Sequence, residues 1–464
     1  MTATIEAGSG LHARTIPLDY GPDALQFDGS PTVLFDRPGL TLVGWGTARL
    51  VGVGDAASVL GAIPCDDEVR RPGSGVLALG ALPFESVHAG QLVVPRFTMG
   101  IDVDVDGQTR RWATAVGPDD VPLPTTDELF DAVIWQYGST PEPGDDRRAA
   151  VTGVAATTPV VTSTMPTQAY RDVVARTVAA MRVPGATLKK VVLSRPLTVA
   201  LDDEIDLSAV LRRLRAGEPN CTIFAMPVPD GVFFGASPEL LVARHGSRVT
   251  AHPLAGTIPR GTTARADADA QGRLAVSPKD REEHRFVVDA IAATLRTYCE
   301  DLEVPAAPSL VAFRSVAHLG TRLSGHLAEA VSVLELVEHL HPTPAVGGTP
   351  RAEALEVIAA SEPDRRGYWA GPVGWVDAAG EGEWMIGIRS ARLHVEGDAV
   401  TLRAGSGIVA GSDPDAEGAA VTLRAGSGIV ADSDPDAEAA ETNVKLATVL
   451  DAVVPGASAS AQLR

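Results

Sequence analysis

Short runs that alternate apolar and polar residues, cut every few positions by Gly, Pro or Asp, fill the first 140 residues and leave the chain few folds to choose from. Thr41–Trp45, Gly75–Leu79, Gln91–Val94 and Trp112–Val116 read as strands that bury one face. Beyond Thr167 helices join them. Helical spacing runs through Tyr170–Val183, Ser277–Asp301, Ser332–His339 and Arg351–Ser361. Lys189–Arg195, Cys221–Met226, Val232–Ala236, Leu240–Ala243, Trp384–Arg389 and Ala399–Arg403 read as further strands. Strands and helices do not alternate regularly, so a doubly wound nucleotide-binding sheet is not expected. Thr140–Asp146 and Val151–Pro166, rich in Thr and Pro, read as a connector between the two parts.

Composition narrows the class. With 464 residues, 45% hydrophobic and 21% charged, the chain can build a large globular core. A net charge of −20 disfavours nucleic acid and anionic membranes as partners. A small anionic substrate then needs local cations or a metal in its site. Cys65, Cys221 and Cys299 have no paired metal spacing, and so sparse a set suits a reducing cytoplasm. The N-terminus lacks the basic-then-apolar order of a signal peptide, and no uncharged apolar run is long enough to span a bilayer. A cytoplasmic protein is expected.

Chemistry concentrates in the second part. In Lys189–Pro196, alternation places Lys190, Val192 and Ser194 on one face, and Pro196 is expected to end the ladder. A lone ammonium among apolar neighbours is disfavoured as a charge, so Lys190 could serve as a base near neutral pH. The plain alternative is an edge-strand lysine that blocks aggregation. Ser277, Pro278 and Asp280 form a helix start, from which Glu283 points to the partly apolar face while Glu282 faces water. An inward carboxylate needs a partner, and a metal is one; a glutamate favoured by the helix dipole is the alternative. After Ser433 and Pro435, Glu438, Glu441, Lys445 and Thr448 share a helix face. They form either a surface Glu–Lys pair or, with Glu283, two inward carboxylates suited to Mg²⁺. Glu239 follows Ser237-Pro238 at a strand break, where its side chain can project into a cleft. Leu254-Ala255-Gly256-Thr257 and the Ala-Gly-Ser-Gly-Ile turns offer backbone N–H groups to an anion. Arg389, placed on a strand face with Met385 and Gly387, can grip a carboxylate bidentately.

Residues 399–419 recur at 420–440, differing only at Gly411/Asp432 and Gly418/Ala439. Two copies do not make a solenoid, and the Ser-Asp-Pro-Asp-Ala-Glu stretches lack the spacing of a calcium loop. The first copy would place Ala420 and Arg424 where the second has Glu441 and Lys445. If that face is functional, residues 420–446 build it and 399–419 bulge out.

The blocks KVVLSR (190–195), FGASPELL (234–241), HPLAGTIPRG (252–261), SPKDREEH (277–284), AHLGTRLSG (317–325), HPTPAVGGTP (341–350), GPVGW (371–375), IGIRSA (386–391) and AGSGIVADS with ETNVKL, ending at 446, stand in a fixed order. Together they resemble the chorismate-utilising enzymes, most closely the isochorismate synthases. The resemblance covers about residues 165–455, with 1–150 as a variable β-rich part of the same fold and 456–464 as a disordered tail. It implies an α+β fold: one large domain of two stacked, mostly antiparallel sheets with helices outside. It also implies a Mg²⁺-dependent, reversible conversion of chorismate to isochorismate, in a monomer that needs no amidotransferase subunit. In that scheme Lys190 is the base that activates water and Glu239 the acid that protonates the leaving hydroxyl. Glu283 and Glu441 hold the metal, with Asp280 and Glu438 nearby. Arg389, Lys445 and the backbone at Gly426 and Gly428 hold the enolpyruvyl carboxylate, while Gly256, Thr257 and His318 line the ring pocket. Lys190, Ala255 and Ala345 stand where aminating or salicylate-forming relatives carry other residues, which points to water as nucleophile and isochorismate as product. Salicylate formation with loss of pyruvate is the alternative, and a relative impaired by the repeat is another. The product would feed menaquinone or a catecholate siderophore.

Overall fold

The computed structural model describes residues 10–19, 31–104, 106–125, 128, 160–200, 205–394 and 420–457. Its strands hydrogen bond into one 19-stranded network and a separate three-stranded sheet. The network has two layers that meet at the long strand Gln91–Val103. One layer runs from there through Leu40–Gly52, Val33–Arg37, Thr222–Val228, Gly231–Ser237, Ser390–His394 and Ala420–Ile429 to Lys190–Ala200. The other leaves at the single rung Leu79↔Val93 and continues through Pro372–Asp377, Gly382–Ile386, Leu240–His245 and Arg248–His252 to Leu323–His326. Almost all pairings are antiparallel; Leu11–Leu18 beside Cys65–Asp67 is parallel.

Alternation makes this stacking possible, because each strand offers one apolar face inward and another outward. Phe35, Leu42, Phe224, Phe233, Val373 and Trp375 fill the space between the layers. The outer faces are covered by helices. Leu207–Gly217 and Pro435–Val453 pack on the first layer, and Val333–Leu340 packs on the second. The expected two-layer α+β domain is therefore found. No helix among the described residues is long and apolar enough to cross a membrane.

Two local expectations need correction. Pro196 does not end its ladder: the strand is Lys190–Ala200, paired with Ala420–Ile429 from Val191 to Ala200. The Ser194 N–H points away from that partner, to Glu362 Oε1 at 2.9 Å. Pro196 lies two residues on and shares this orientation, so the N–H it lacks is not one the ladder uses. Arg389 is not on a strand face either. It sits between Gly382–Ile386 and Ser390–His394 with φ +49°, a left-handed turn that redirects its side chain.

Ser390–His394 and Ala420–Ile429 are antiparallel neighbours, with His394 opposite Ala420. The second copy of the repeat is thus the one that enters the sheet and continues into Pro435–Val453. The first copy, including the strand expected at Ala399–Arg403, lies outside the described residues, as do most of the connector and residues 458–464.

Candidate active site

One end of the first layer, the three-stranded sheet and two helices line a cavity. Each contributes through its local structure. Ser277 Oγ accepts the Asp280 N–H at 3.3 Å and opens the helix Pro278–Leu295, which delivers Glu283 to the wall. Asp434 accepts the Ala437 N–H at 2.9 Å and opens Pro435–Val453, which delivers Glu441 and Lys445. In the strand Ala420–Ile429, Gly426 and Gly428 lie against the cavity, and a side chain there would collide. A Cβ on Gly428 would sit 2.3 Å from Glu283 Oε1 and 3.0 Å from Lys190 Cε. Gly256 occupies a bulge at φ +73°, where a Cβ would press on Asp280 at 3.0 Å.

Lys190 is not a lone cation. It is 1% exposed, lies behind the wall, and pairs with Glu283 Oε1 at 3.0 Å. Sequence alternation identified its face, shared with the cavity-lining Val192, but not the helix laid across it. Two further lysine–glutamate pairs complete a charged ridge: Lys279 with Glu438 at 2.9 Å and Lys445 with Glu441 at 2.7 Å. The i,i+4 pair foreseen as a surface feature therefore exists, but it stands in the cavity wall. Glu282 faces water beside Arg285, as expected.

Glu239 sits at the break between Gly231–Ser237 and Leu240–His245, 3% exposed and against the cavity. Burial pushes its carboxyl up to about 7; a hydrogen bond from the Leu254 N–H and the charges of Lys190, Lys445 and Arg389 oppose this. Across from it His318 accepts from Arg389 Nη2 through Nε2 at 2.7 Å, so its proton sits on Nδ1, 3.2 Å from the Gly256 carbonyl and 3.1 Å from Thr257 Oγ1. Burial, then the charges of Arg389 and Lys445, hold this imidazole neutral. Arg389 rests 4.6 Å over the Phe313 ring, which fixes the guanidinium toward the cavity. Ala345 and Thr257 complete the wall.

The acidic groups of the ridge affect one another. Burial, then Glu441, push Glu438 up; burial first, then Glu283 and Glu441, push Asp280 up against the hydrogen bond from Ser277. Asp280 and Glu438 do not line the cavity, whereas Glu283 and Glu441 do. Among the described residues no three His, Cys, Asp or Glu side chains gather as a closed cage would require. An all-oxygen pair of carboxylates, open toward a cavity, still fits Mg²⁺, which takes one or two carboxylates and fills its remaining positions with water and substrate oxygens.

Two lining residues lie outside every sequence block singled out above. Arg424 reaches in from the strand Ala420–Ile429 to Ser194 Oγ and Glu362 Oε2, each at 3.2 Å. Its parity with Gly426 and Gly428 was a signal that could have found it. Trp369 lines the cavity from a loop, and no periodicity marks it.

A family model for chorismate-binding enzymes matches residues 125–423 and 416–454, the break falling at the repeat. Isochorismate synthase DhbC of Bacillus subtilis is 36% identical over 347 residues, 73% of this chain and 76% of that protein. The solved structure of a candidate 2,3-dihydroxybenzoate-specific isochorismate synthase from Bacillus anthracis covers 91% of this chain and 96% of its own at 30% identity and a TM-score of 0.67. The menaquinone-specific isochorismate synthase MenF of Escherichia coli covers 96% of this chain and 95% of its own, at 23% identity and a TM-score of 0.74, and shares the fold.

Proposed function

This chain belongs to the chorismate-binding enzymes, and on that premise we propose that it is an isochorismate synthase, converting chorismate reversibly to isochorismate with the help of Mg²⁺. The observation that carries the reading is Glu239, a buried carboxyl whose pKa is pushed up to about 7, in the same cavity as two arginines, a lysine and the carboxylates of Glu283 and Glu441. Such a site can grip a dianion and still donate a proton.

In the proposed reaction water attacks C2 of the ring, the two ring double bonds shift, and the C4–O bond breaks. Glu239 gives its proton to the departing hydroxyl, which leaves as water. Lys190 takes the proton of the attacking water, so one water enters, one leaves, and the product is an isomer. Lys190 can do this only as a free amine, so its 3.0 Å contact with Glu283 has to open once the site is loaded. A Mg²⁺ held by Glu283 and Glu441 supplies positive charge against the ring carboxylate in an otherwise acidic protein. Arg389 and Lys445 hold the enolpyruvyl carboxylate. His318, neutral and tied to Gly256 and Arg389, lines the ring pocket and orients that arginine. Glu441 lines the cavity with the repeat present, which supports a working site over a relative impaired by the repeat.

The test is product analysis of the purified chain with chorismate and Mg²⁺, beside Lys190→Ala and Glu441→Ala. Isochorismate without pyruvate is expected, with both variants strongly impaired and Mg²⁺ restoring activity after chelation. Pyruvate release would replace the reading with salicylate formation, and no turnover would sink it.

A further inference from the structure

The blocks KVVLSR and ETNVKL each hold residues to which the proposed reaction gives no role: Arg195 in the first, Thr442 and Asn443 in the second. The structure brings these three together. Arg195 leaves the strand Lys190–Ala200 on the face opposite to Lys190 and Val192, is 2% exposed, and does not line the candidate active-site cavity. Its Nε donates to Thr442 Oγ1 at 2.9 Å and its Nη2 to Asn443 Oδ1. The Thr442 hydroxyl gives its own proton to the Ala439 carbonyl at 2.8 Å, so it meets the guanidinium as an acceptor. No carboxylate among the described residues pairs with Arg195, and burial pushes its pKa down.

A cation buried without a counter-charge costs stability, and apolar contacts would hold the helix Pro435–Val453 on the sheet without that cost. They do so farther along, where Leu446, Val449 and Leu450 share a core with Leu197 and Val199. Apolar packing, however, is non-directional. A guanidinium is a rigid planar fork, and here its two arms end on consecutive helix residues, which project about 100° apart around the axis. Gripping both fixes the rotation of the helix as well as its height. Thr442 and Asn443 directly follow Glu441. Glu441 and Lys445, four residues apart on one face, are the groups this helix sends into the cavity wall.

We propose that Arg195 is a positioning residue: by gripping Thr442 and Asn443 it sets the rotation of Pro435–Val453, and so aims Glu441 and Lys445 at the cavity from the strand that also carries Lys190. The aiming rests on the reading of that cavity as the chorismate site; the grip does not.

Three variants of the intact chain test it. Arg195→Met keeps the apolar stem and removes both donors. Asn443→Ala removes one acceptor from a half-buried place that water can fill. Arg195→Lys keeps the charge but not the fork. In Arg195→Met, hydrogen exchange over residues 438–446 of the ligand-free chain should quicken about tenfold, with Pro278–Leu295 unchanged. The KM for chorismate, followed as chorismate consumption whatever the product, should rise about tenfold. The urea midpoint should hold or rise, because a buried charge has gone. Asn443→Ala should show the same changes to a smaller degree and add nothing further to Arg195→Met. Arg195→Lys should recover part of the loss. Unchanged exchange in both Arg195→Met and Asn443→Ala would overturn the grip. Faster exchange with an unchanged KM, or a fall in urea midpoint and kcat alone, would overturn the aiming and leave Arg195 a structural residue. Failure of the chorismate reading shows elsewhere, as a wild type that consumes no chorismate, and the exchange result still decides the grip.

Discussion

Glu239 and Gly428 show how much chemistry rests on single positions. A general acid must be protonated to act, and Glu239, proposed for that role, is pushed from 4.5 up to about 7 by burial. The turnover of chorismate should therefore fall as pH rises through about 7. Glu239→Gln should lose about 10²- to 10⁴-fold in rate while still binding substrate, since removing a proton donor typically costs that much. The same shift has a stability counterpart of fixed sign. Its folded pKa lies above its unfolded one, so the stability it contributes is complete below about 4.5 and lost as pH rises through about 7. Urea unfolding across that window should show a decline that Glu239→Gln abolishes; a decline of the same size in the variant would assign it to other groups. Gly428 is constrained by contact rather than by φ. Gly428→Ala would drive a methyl to 2.3 Å from Glu283 Oε1, so the Lys190–Glu283 pair has to part. Overpacking of this kind costs about 1–3 kcal/mol. The variant should fold and lose most of its activity, an outcome read by circular dichroism beside product formation. Lys190 itself was legible as a buried, single-face lysine because alternation is a local property. Its partner was not, because nothing in residues 189–196 says which helix crosses them.

Glu362 ties three elements together and belongs to none of the motifs. It closes the helix Arg351–Ser361, accepts the Ser194 N–H from the strand Lys190–Ala200, and pairs with Arg366 and with Arg424 of Ala420–Ile429. Arg366 then donates to the carbonyls of Val192 and Val346, both of which line the candidate active-site cavity. One carboxylate therefore holds two buried guanidinium groups and sets the floor beneath the site. Glu362→Leu would leave both arginines without their counter-charge, and breaking such a buried pair costs about 3–5 kcal/mol. The urea midpoint should drop accordingly, and a loss below about 1 kcal/mol would show that water compensates the arginines. Elements of this kind divide cleanly into the legible and the hidden. Helix starts with a capping serine and Pro at the first position, as at Ser277-Pro278, were readable because the signal lies in consecutive residues. Arg351–Ser361 was found with its observed limits although no side chain caps its start. Pro196 misled because a proline's cost in a strand depends on which side its nitrogen faces, and neighbours decide that. Arg389 misled because a left-handed residue between two strands carries no mark in the sequence when it is not glycine.

At the scale of the whole molecule, the repeat is a test of how a large sheet tolerates insertion. His394 and Ala420 are paired residues of adjacent antiparallel strands, so the 25 residues between them (419 − 394) join two ends that already meet. Removing one 21-residue copy, 399–419, leaves four connecting residues, Val395-Glu396-Gly397-Asp398 (25 − 21). Four residues with a Gly-Asp pair make an ordinary hairpin connection. Loop-closure entropy grows only with the logarithm of length, so the shortening should stabilise the fold by about 1–2 kcal/mol at most. The strand Ala420–Ile429, with Gly426 and Gly428, and the helix carrying Glu441 and Lys445 keep their neighbours in the shortened chain. Isochorismate formation should accordingly be unchanged within about twofold, since nothing in the catalytic wall moves. Comparing the full chain with the 399–419 deletion, by urea unfolding and by product analysis side by side, decides the point. A deletion that abolishes turnover while raising stability would mean that the first copy supplies a group to the site, and the assignment of the wall to residues 420–446 would have to be withdrawn.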